Sequence, residues 1–564
     1  MKRFAGVLIL LSVTLFMVFF FLLPLSGTFR MAFMGPQGGW TLDYLFEIFR
    51  NPLYLEGLLN ALTIAVFSTL GCLFLAVPLA LIFVRYEFIG KAPLNGLLLV
   101  PLILPPFVGA LGIQAMLGQA GALNSFLIAW GVLSVNAPID WLGRGQLLGV
   151  ILMNVLHLYP IVYLNLSGSL ANIDPQWDDA ANCLGCPPFR RFWRVTLPLA
   201  MPGLYAGCSI AFIWAFTELG VPLIFDVERV TSVQIFNAIK DLNNNPLPYA
   251  LVVVLMGLTL LLFFGSRAFF RRDVAGGEGK ATLGRVLIPL TGWRGWLATG
   301  FFVAVVAVAL VPHIGVLLMA LSKDWYQTVL PDQWTVEPLK KALGHPLTLT
   351  AIGNSLRYAF LATMLDLVLG VAVAWLLVRT KLFGRSLVDG LTMMPLAVPG
   401  IVMAFGYLAL SRSGQPLDWL MMGEDPLMLL VVAYAMRRLP YVVRSVTAGL
   451  QQIHPALEEA AESLGASPIR ALWRVTFPLV MPSVLAGGLL AFAFAMLEVS
   501  DSMILAQRTL HFPITKAIYT LAGALGDGPS LASALGLWAM LFLTITFVGT
   551  GAILGRKIGA LFKV

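Results

Sequence analysis

Apolar runs about as long as a membrane is thick, separated by short polar stretches, recur along the whole 564-residue chain. A helix needs about 20 apolar residues to cross the hydrocarbon core. The runs fall at roughly 5–26, 57–84, 95–117, 146–167, 203–225 and 248–270, then at 295–321, 351–378, 389–411, 427–447, 483–506 and 531–554. Several, such as Leu8–Pro24, Leu251–Phe264 and Leu537–Leu554, are apolar around the whole helix, as lipid-embedded helices are. The alternation of barrel strands is absent. In lipid every backbone polar group must be satisfied internally. The pattern therefore predicts an all-α integral membrane protein of about 12 transmembrane helices. The first run, Lys2-Arg3 and onward to about Leu25, is longer than a signal-peptide core and lacks a small-x-small cleavage site, so it reads as an uncleaved first helix.

One polar island occurs twice. Residues 178–202 read DDAANCLGCPPFRRFWRVTLPLAMP and residues 458–482 read EEAAESLGASPIRALWRVTFPLVMP, without a gap, Gly185 on Gly465 and Pro198 on Pro478. The repeat extends upstream. Asn60 to Arg85 aligns with Asn354 to Arg379, and Gly90, Pro101, Pro105 and Gly112 fall on Gly384, Pro395, Pro399 and Gly406. The offset drops from 294 to 280 between Gly112 and Tyr159, so the first copy carries 14 extra residues, placed in the loop around Gln119–Gly145. Each half holds six helices, an even number, so the two repeats are parallel: 1–270 with a polar loop at about 174–202, a basic Gly-rich linker at 271–294, and 295–564 with a loop at about 454–482.

Composition sharpens the class. The chain is 59% hydrophobic and 11% charged, where soluble proteins carry about a quarter charged residues. The net charge of +8 does not point to nucleic acid. Most Lys and Arg residues fall on one side of the expected topology, among them Lys2, Arg3, Arg85, Arg190, Arg191, Arg194, Arg379, Arg437, Arg438, Arg470, Arg474 and Lys557. That bias places both repeated loops and both termini in the cytoplasm. Cys183-x-x-Cys186 in the first loop is replaced by Ser463 and Ala466 in the second. It supplies half a zinc site at best and reads as two small residues in a reduced loop. The five histidines are scattered, and no metal site is assigned. The GEGK of the linker has Val274 where a phosphate loop needs Gly and Ala281 after the Lys. No Walker A stands elsewhere, so any ATP hydrolysis belongs to another polypeptide.

The loop has its own chemistry. In the second copy Pro455 suits the first turn of a helix, Glu458 and Glu459 suit its positive end, and Ala460-Ala461 leave one face thin. Gly465 permits a left-handed stop. Ser467 is a cap for a second short helix, expected to end near Val475, with Pro478 and Pro482 marking the turn back into the membrane. Asp174-Pro175, Asp179, Ala180, Ala181, Gly185 and Pro187 repeat the scheme in the first copy. The product is a helix–turn–helix able to seat in a partner's cleft. Within the apolar runs, Glu218 aligns with Glu498, and Asp501 follows a turn later. Intramembrane carboxylates are functional candidates, and three converging on the pseudo-twofold axis suit a cationic cargo. The bland alternative is that they bond neighbouring backbone or sit solvated at the periplasmic end of the helix. Asp366 reads as a packing or snorkelling acid, and Arg437-Arg438 as an anchor at the cytoplasmic end of helix ten.

The pattern E-A-A-x3-G-x9-I-x-L-P, met here as Glu459-Ala460-Ala461, Gly465, Val475, Phe477, Pro478 and as Asp179-Ala180-Ala181, Gly185, Val195, Leu197, Pro198, resembles that of the membrane subunits of bacterial ABC importers of the type I fold. Asp replaces Glu in the first copy, Val replaces Ile in both, and Phe replaces Leu in the second. The resemblance covers nearly the whole chain and implies a fused, two-domain permease. It further implies a non-enzymatic chain binding no cofactor, two copies of a cytoplasmic ATPase subunit carrying ATP-Mg on these loops, and a periplasmic or lipid-anchored substrate-binding protein. A single chain with two permease halves is most similar to the ferric iron permeases. Thiamine, aminoethylphosphonate and polyamine permeases are the alternatives within the class. An ion-gradient-driven secondary transporter is the alternative outside it.

Overall fold

The computed structural model describes residues 2–35, 39–241, 245–270, 287–421 and 425–554. The expected linker at 271–294, with its GEGK, lies mostly outside them. Twelve helical segments appear in the expected order. Among the described residues nine are long and apolar enough to cross a membrane: Gly6–Phe33, Pro52–Arg85, Pro106–Ala129, Leu147–Ala171, Pro188–Ile224, Trp293–Ala320, Pro346–Arg379, Leu472–Met496 and Gly528–Thr546. A bent pair, Arg385–Leu396 with Gly400–Leu410, makes a tenth. Leu247–Phe270 and Leu427–Gln452 occupy the remaining two places; the second carries Arg437, Arg438 and Arg444.

Several spans differ from the expectation. Helix one runs on to Phe33, through Pro24. Helix nine turns by 99° at Pro399, and helix three is likewise interrupted, between Lys91–Leu97 and Pro106–Leu117. Pro removes the backbone donor and its ring collides with the carbonyl four residues back, and the apolar pattern does not register such a break. At other prolines the helix widens instead. Three π turns, Val18–Leu22, Phe192–Thr196 and Leu472–Thr476, each end two residues before a proline (Pro24, Pro198, Pro478). Each hands the chain on by a bond spanning five residues, as from the Leu197 N–H to the Phe192 carbonyl.

The halves are interlocked. Helix one packs on the second half: Tyr407 donates from its hydroxyl to the Phe20 carbonyl, and any Cβ on Gly406 would lie 2.7 Å from the Pro24 carbonyl. Helix seven packs on the first half at the aligned position, where a Cβ on Gly112 would lie 2.1 Å from the Pro312 carbonyl. Each half therefore closes its core with the opening helix of the other. A short parallel pairing of Tyr86–Glu87 with Ile288–Pro289 fixes the start of helix seven beside the end of helix two. The 14 extra residues of the first half are folded around a buried Asn124, which donates to the carbonyls of Gln119 (3.1 Å) and Ile139 (2.8 Å) and accepts from the Trp141 indole (2.9 Å).

Candidate functional site

The two repeated loops adopt one geometry. Pro175–Cys183 and Ala456–Ser463 form their first helices. Gly185 (φ 70°) and Gly465 (φ 88°) end them in the left-handed region, where the N–H groups of Cys186 and Ala466 reach back to the carbonyls of Ala181 and Ala461, each at 3.0 Å. Asp174 caps the first helix of the first copy through the Gln176 N–H, and His454 Nδ1 accepts from the Ala456 N–H at 3.2 Å at the same place in the second; Ser467 accepts from the Arg470 N–H at 3.4 Å where the second copy's next helix begins.

The expected separate second helix is not there. Pro188 and Pro468 each open a helix that passes through a π turn and continues beyond Pro198 and Pro478 as the spanning helix. Each loop is thus rigidly joined to helix five or helix eleven. These prolines lie within the helix rather than at a turn, because the π widening absorbs the ring.

A clamp that the sequence reading missed fixes each loop to helix two or helix eight. Arg379 Nε donates to Glu458 Oε1 at 2.8 Å, Thr476 donates to the same oxygen at 2.9 Å, and Arg379 Nη2 donates to the Ile453 carbonyl at 3.1 Å. In the first copy Arg85 Nη2 donates to Thr196 Oγ1 at 2.8 Å and to Asp178 Oδ2 at 3.3 Å. Arg85 and Arg379, Asp178 and Glu458, Thr196 and Thr476 are aligned pairs. The clamp leaves the neighbouring Asp179 and Glu459 exposed, together with Ala180 and Ala460. Around them stand apolar side chains left exposed among the described residues: Trp177, Leu184 and Trp193 in one copy, Leu457, Leu464 and Trp473 in the other.

The three carboxylates expected on the pathway do meet at the seam between the halves. Helix five does not run to 225: it stops at Glu218, whose carboxylate accepts from the N–H groups of Gly220 (3.0 Å) and Val221 (3.4 Å) and so caps the short helix Gly220–Ile224. Helix eleven stops likewise at Met496, before Glu498, and restarts as Ser500–Leu505. The two breaks face each other, a Cβ on Gly220 lying 3.2 Å from Val499 and 3.0 Å from Phe107. Both oxygens of Glu498 are taken by guanidinium groups. Arg437 donates to one at 2.5 Å and Arg438 to the other. Arg437 and Arg438 are correspondingly not at the cytoplasmic end of helix ten. They lie in the interior of Leu427–Gln452, some 16 Å of helix from its start at 1.5 Å per residue. Asp501 is buried, its nearest cation Arg437 at 3.9 Å. Asp366 does not snorkel: it is fully buried, with neither oxygen hydrogen-bonded among the described residues.

Beyond the seam, at the end away from the loops, lies a cavity of about 810 Å³ bordered by Gln114, Asp226, Tyr326, Tyr519 and Thr520. Burial and the nearby Asp226 carboxylate hold the Tyr519 phenol above its ordinary pKa. Among the described residues no three His, Cys, Asp or Glu side chains gather as a metal site.

Two rigidly mounted loops, two parallel interlocked halves and a seam of broken helices define a multi-pass transport permease. The chain belongs to the family described as binding-protein-dependent transport system inner membrane component, which it matches at residues 73–276 and again at 366–554, once per half. It is similar to the ferric transport system permease protein FbpB of Actinobacillus pleuropneumoniae, 28% identical over 87% of this chain and 70% of that one. It is also similar to an Fe(3+)-transport system permease of Haemophilus influenzae, 24% identical over 82% of this chain and 84% of that one. A Salmonella typhimurium permease assigned to 2-aminoethylphosphonate transport is 30% identical over 43% of this chain and 84% of its own length. Among solved structures, a bacterial transporter importing the acidic polysaccharide alginate superposes with a TM-score of 0.40 at 17% identity, over 47% of this chain and 94% of that one.

Proposed function

We propose that this chain is the translocating subunit of an ATP-driven importer for ferric iron, with its two polar loops as docking points for two copies of a cytoplasmic ATPase subunit. The observation that carries the reading is the pair of matched loops. Each is fixed at its base by an Arg–carboxylate–Thr clamp and each is continuous with a spanning helix, so a push on Asp179–Arg194 or Glu459–Arg474 moves helix five or eleven as a lever. The exposed Asp179 and Glu459, the thin faces at Ala180-Ala181 and Ala460-Ala461 and the uncovered Leu184 and Leu464 suit a cleft in a partner. ATP-Mg is assigned to that partner. In this reading the loops and termini are cytoplasmic, as the basic loop ends favour, membrane lipid surrounds the two repeats 1–270 and 295–564, and the 810 Å³ cavity faces a periplasmic or lipid-anchored binding protein. Iron is taken from the two relatives that resemble this chain along most of its length. Aminoethylphosphonate comes second, from a relative resembling 43% of it.

The test is reconstitution of the chain with its ATPase and binding protein in liposomes. Asp179→Lys with Glu459→Lys, or Gly185→Pro with Gly465→Pro, is expected to leave the protein inserted and to abolish both ATPase binding and iron uptake. Survival of transport with both copies changed would refute the coupling role.

A further inference from the structure

The midplane charges are distributed unequally. At aligned positions the second half holds Arg437, Glu498, Asp501 and Asp366 where the first holds His157, Glu218, Val221 and Cys72. The carboxylates that invite a cationic reading are all turned inward: Glu218 to the backbone of its own turn, Glu498 to two guanidinium groups, Asp501 to full burial. Arg437 is the most exposed of the charged groups at the seam. Its side chain is 22% exposed, against 3% for Glu498 and 0% for Asp501.

The position of Arg437 is central. It lies against Gly400, the first residue after the break of helix nine, where any Cβ would fall 2.1 Å from Nη1. It bonds Glu498 at the break of helix eleven, and it lies within the electrostatic reach of Glu218 across the seam. The equivalent His157 is buried and donates from Nδ1 to the Pro101 carbonyl at 2.9 Å, also beside a helix break. Among the described residues Nη1 is the only nitrogen of Arg437 in a hydrogen bond. Nη2 lies 2.7 Å from the same Cβ position on Gly400, and the fork's remaining donors, whose planar arrangement matches a carboxylate or phosphate in two-pronged fashion, make no hydrogen bond among the described residues.

We propose that Arg437 is a specificity-determining residue that meets the cargo at the midplane, and that ferric iron passes it capped by an oxyanion rather than as the bare trivalent cation. A bare trivalent ion arriving there meets two guanidinium charges, while the carboxylate oxygens beside them that lack a hydrogen bond among the described residues, those of Asp501, are fully buried. An iron ion whose coordination sphere carries a carboxylate or phosphate presents an acceptor to Arg437 and a lower net charge. The inference rests on the ferric reading and adds the chemical form of the cargo.

The experiment uses the complete reconstituted importer and two labels: radioiron, and in separate arms labelled citrate, nitrilotriacetate or phosphate supplied as its ferric complex. Iron and at least one of the anions are expected to enter together in a fixed ratio. Arg437→Gln leaves Glu498 with one partner fewer and is liable to misfold, so the double variant R437Q/E498Q, which removes both charges, is run beside it. In that variant, co-uptake of the anion should fall about tenfold, the scale of one lost charge-assisted hydrogen bond, with binding-protein-stimulated ATP hydrolysis retained. Arg437→Lys should restore part of the uptake. Entry of iron with all three anions left outside, or undiminished co-uptake in R437Q/E498Q, overturns the proposal. Uptake of neither label by the unaltered importer refutes the ferric reading itself, and the proposal with it.

Discussion

Arg379 ties three elements together: it ends helix eight, bonds the Glu458 carboxylate of the loop helix and holds the Ile453 carbonyl that precedes it. Both members of the pair are nearly buried, at 7% and 9% side-chain exposure. Removing one partner of a buried pair leaves an uncompensated charge and costs about 3–5 kcal/mol. Arg379→Ala should therefore lower the unfolding temperature clearly, and Arg85→Ala, whose pair is more exposed, should lower it less; thermal unfolding in detergent reads both. Glu458 was visible in the sequence as an acid in a helix's first turn, but its partner lies 79 residues upstream and nothing local names it. Lys516 offers a pH test. It donates to the Met503 carbonyl at 2.7 Å over the Phe512 ring, and burial pushes its ammonium down to about 8 from 10.5. The unfolded chain then holds more protons than the folded one between those values, so stability rises with pH across that window. Lys516→Met should flatten this contribution. An unchanged difference between pH 8 and 10 would refute the burial.

At the scale of the element, the sequence located the helices but not their interruptions. Hydrophobic periodicity tells where a helix lies; in a helix apolar on every face it carries no mark of a break. Glu218 and Glu498 show the consequence. Each was legible as an intramembrane acid aligned with the other, and the bland alternative of backbone bonding describes Glu218, which ends its helix and caps the next. The ion pairing of Glu498 was not legible because Arg437 and Arg438 lie on a different helix, already at the middle of the expected 427–447, and no local pattern pairs them with it. The loop prolines were likewise read as turns, whereas π widening carries the helix through them. Close helix contacts were visible only as aligned glycines. Gly112→Val is expected to prevent helix seven from seating, since the added atoms fall on the Pro312 carbonyl, and Gly406→Val to do the same to helix one at Pro24. Loss of monodisperse protein on size-exclusion chromatography would register either.

Over the whole molecule, the duplicated loop gave away two parallel six-helix halves, while the exchange of opening helices between them was invisible, because the repeat is the same whichever half a helix packs on. Interlocking predicts that a chain cut within 271–286 and expressed as two pieces yields pieces that copurify in equal amounts. Stable, separately folded halves would contradict the exchange. Under the proposed coupling it carries a push at either loop to both halves: the turns that follow helix five and helix eleven meet at Gly220 and Val499, and each half is braced by the other's first helix. The central claim is that these loops couple ATP hydrolysis elsewhere to movement at that seam. Its most direct test is vanadate-sensitive iron uptake by the reconstituted importer, compared with the variant carrying Asp179→Lys and Glu459→Lys. The expected result is ATP-dependent uptake that vanishes in the variant while the protein stays inserted and folded. Uptake by the variant, or uptake on an ion gradient without ATP, would contradict it.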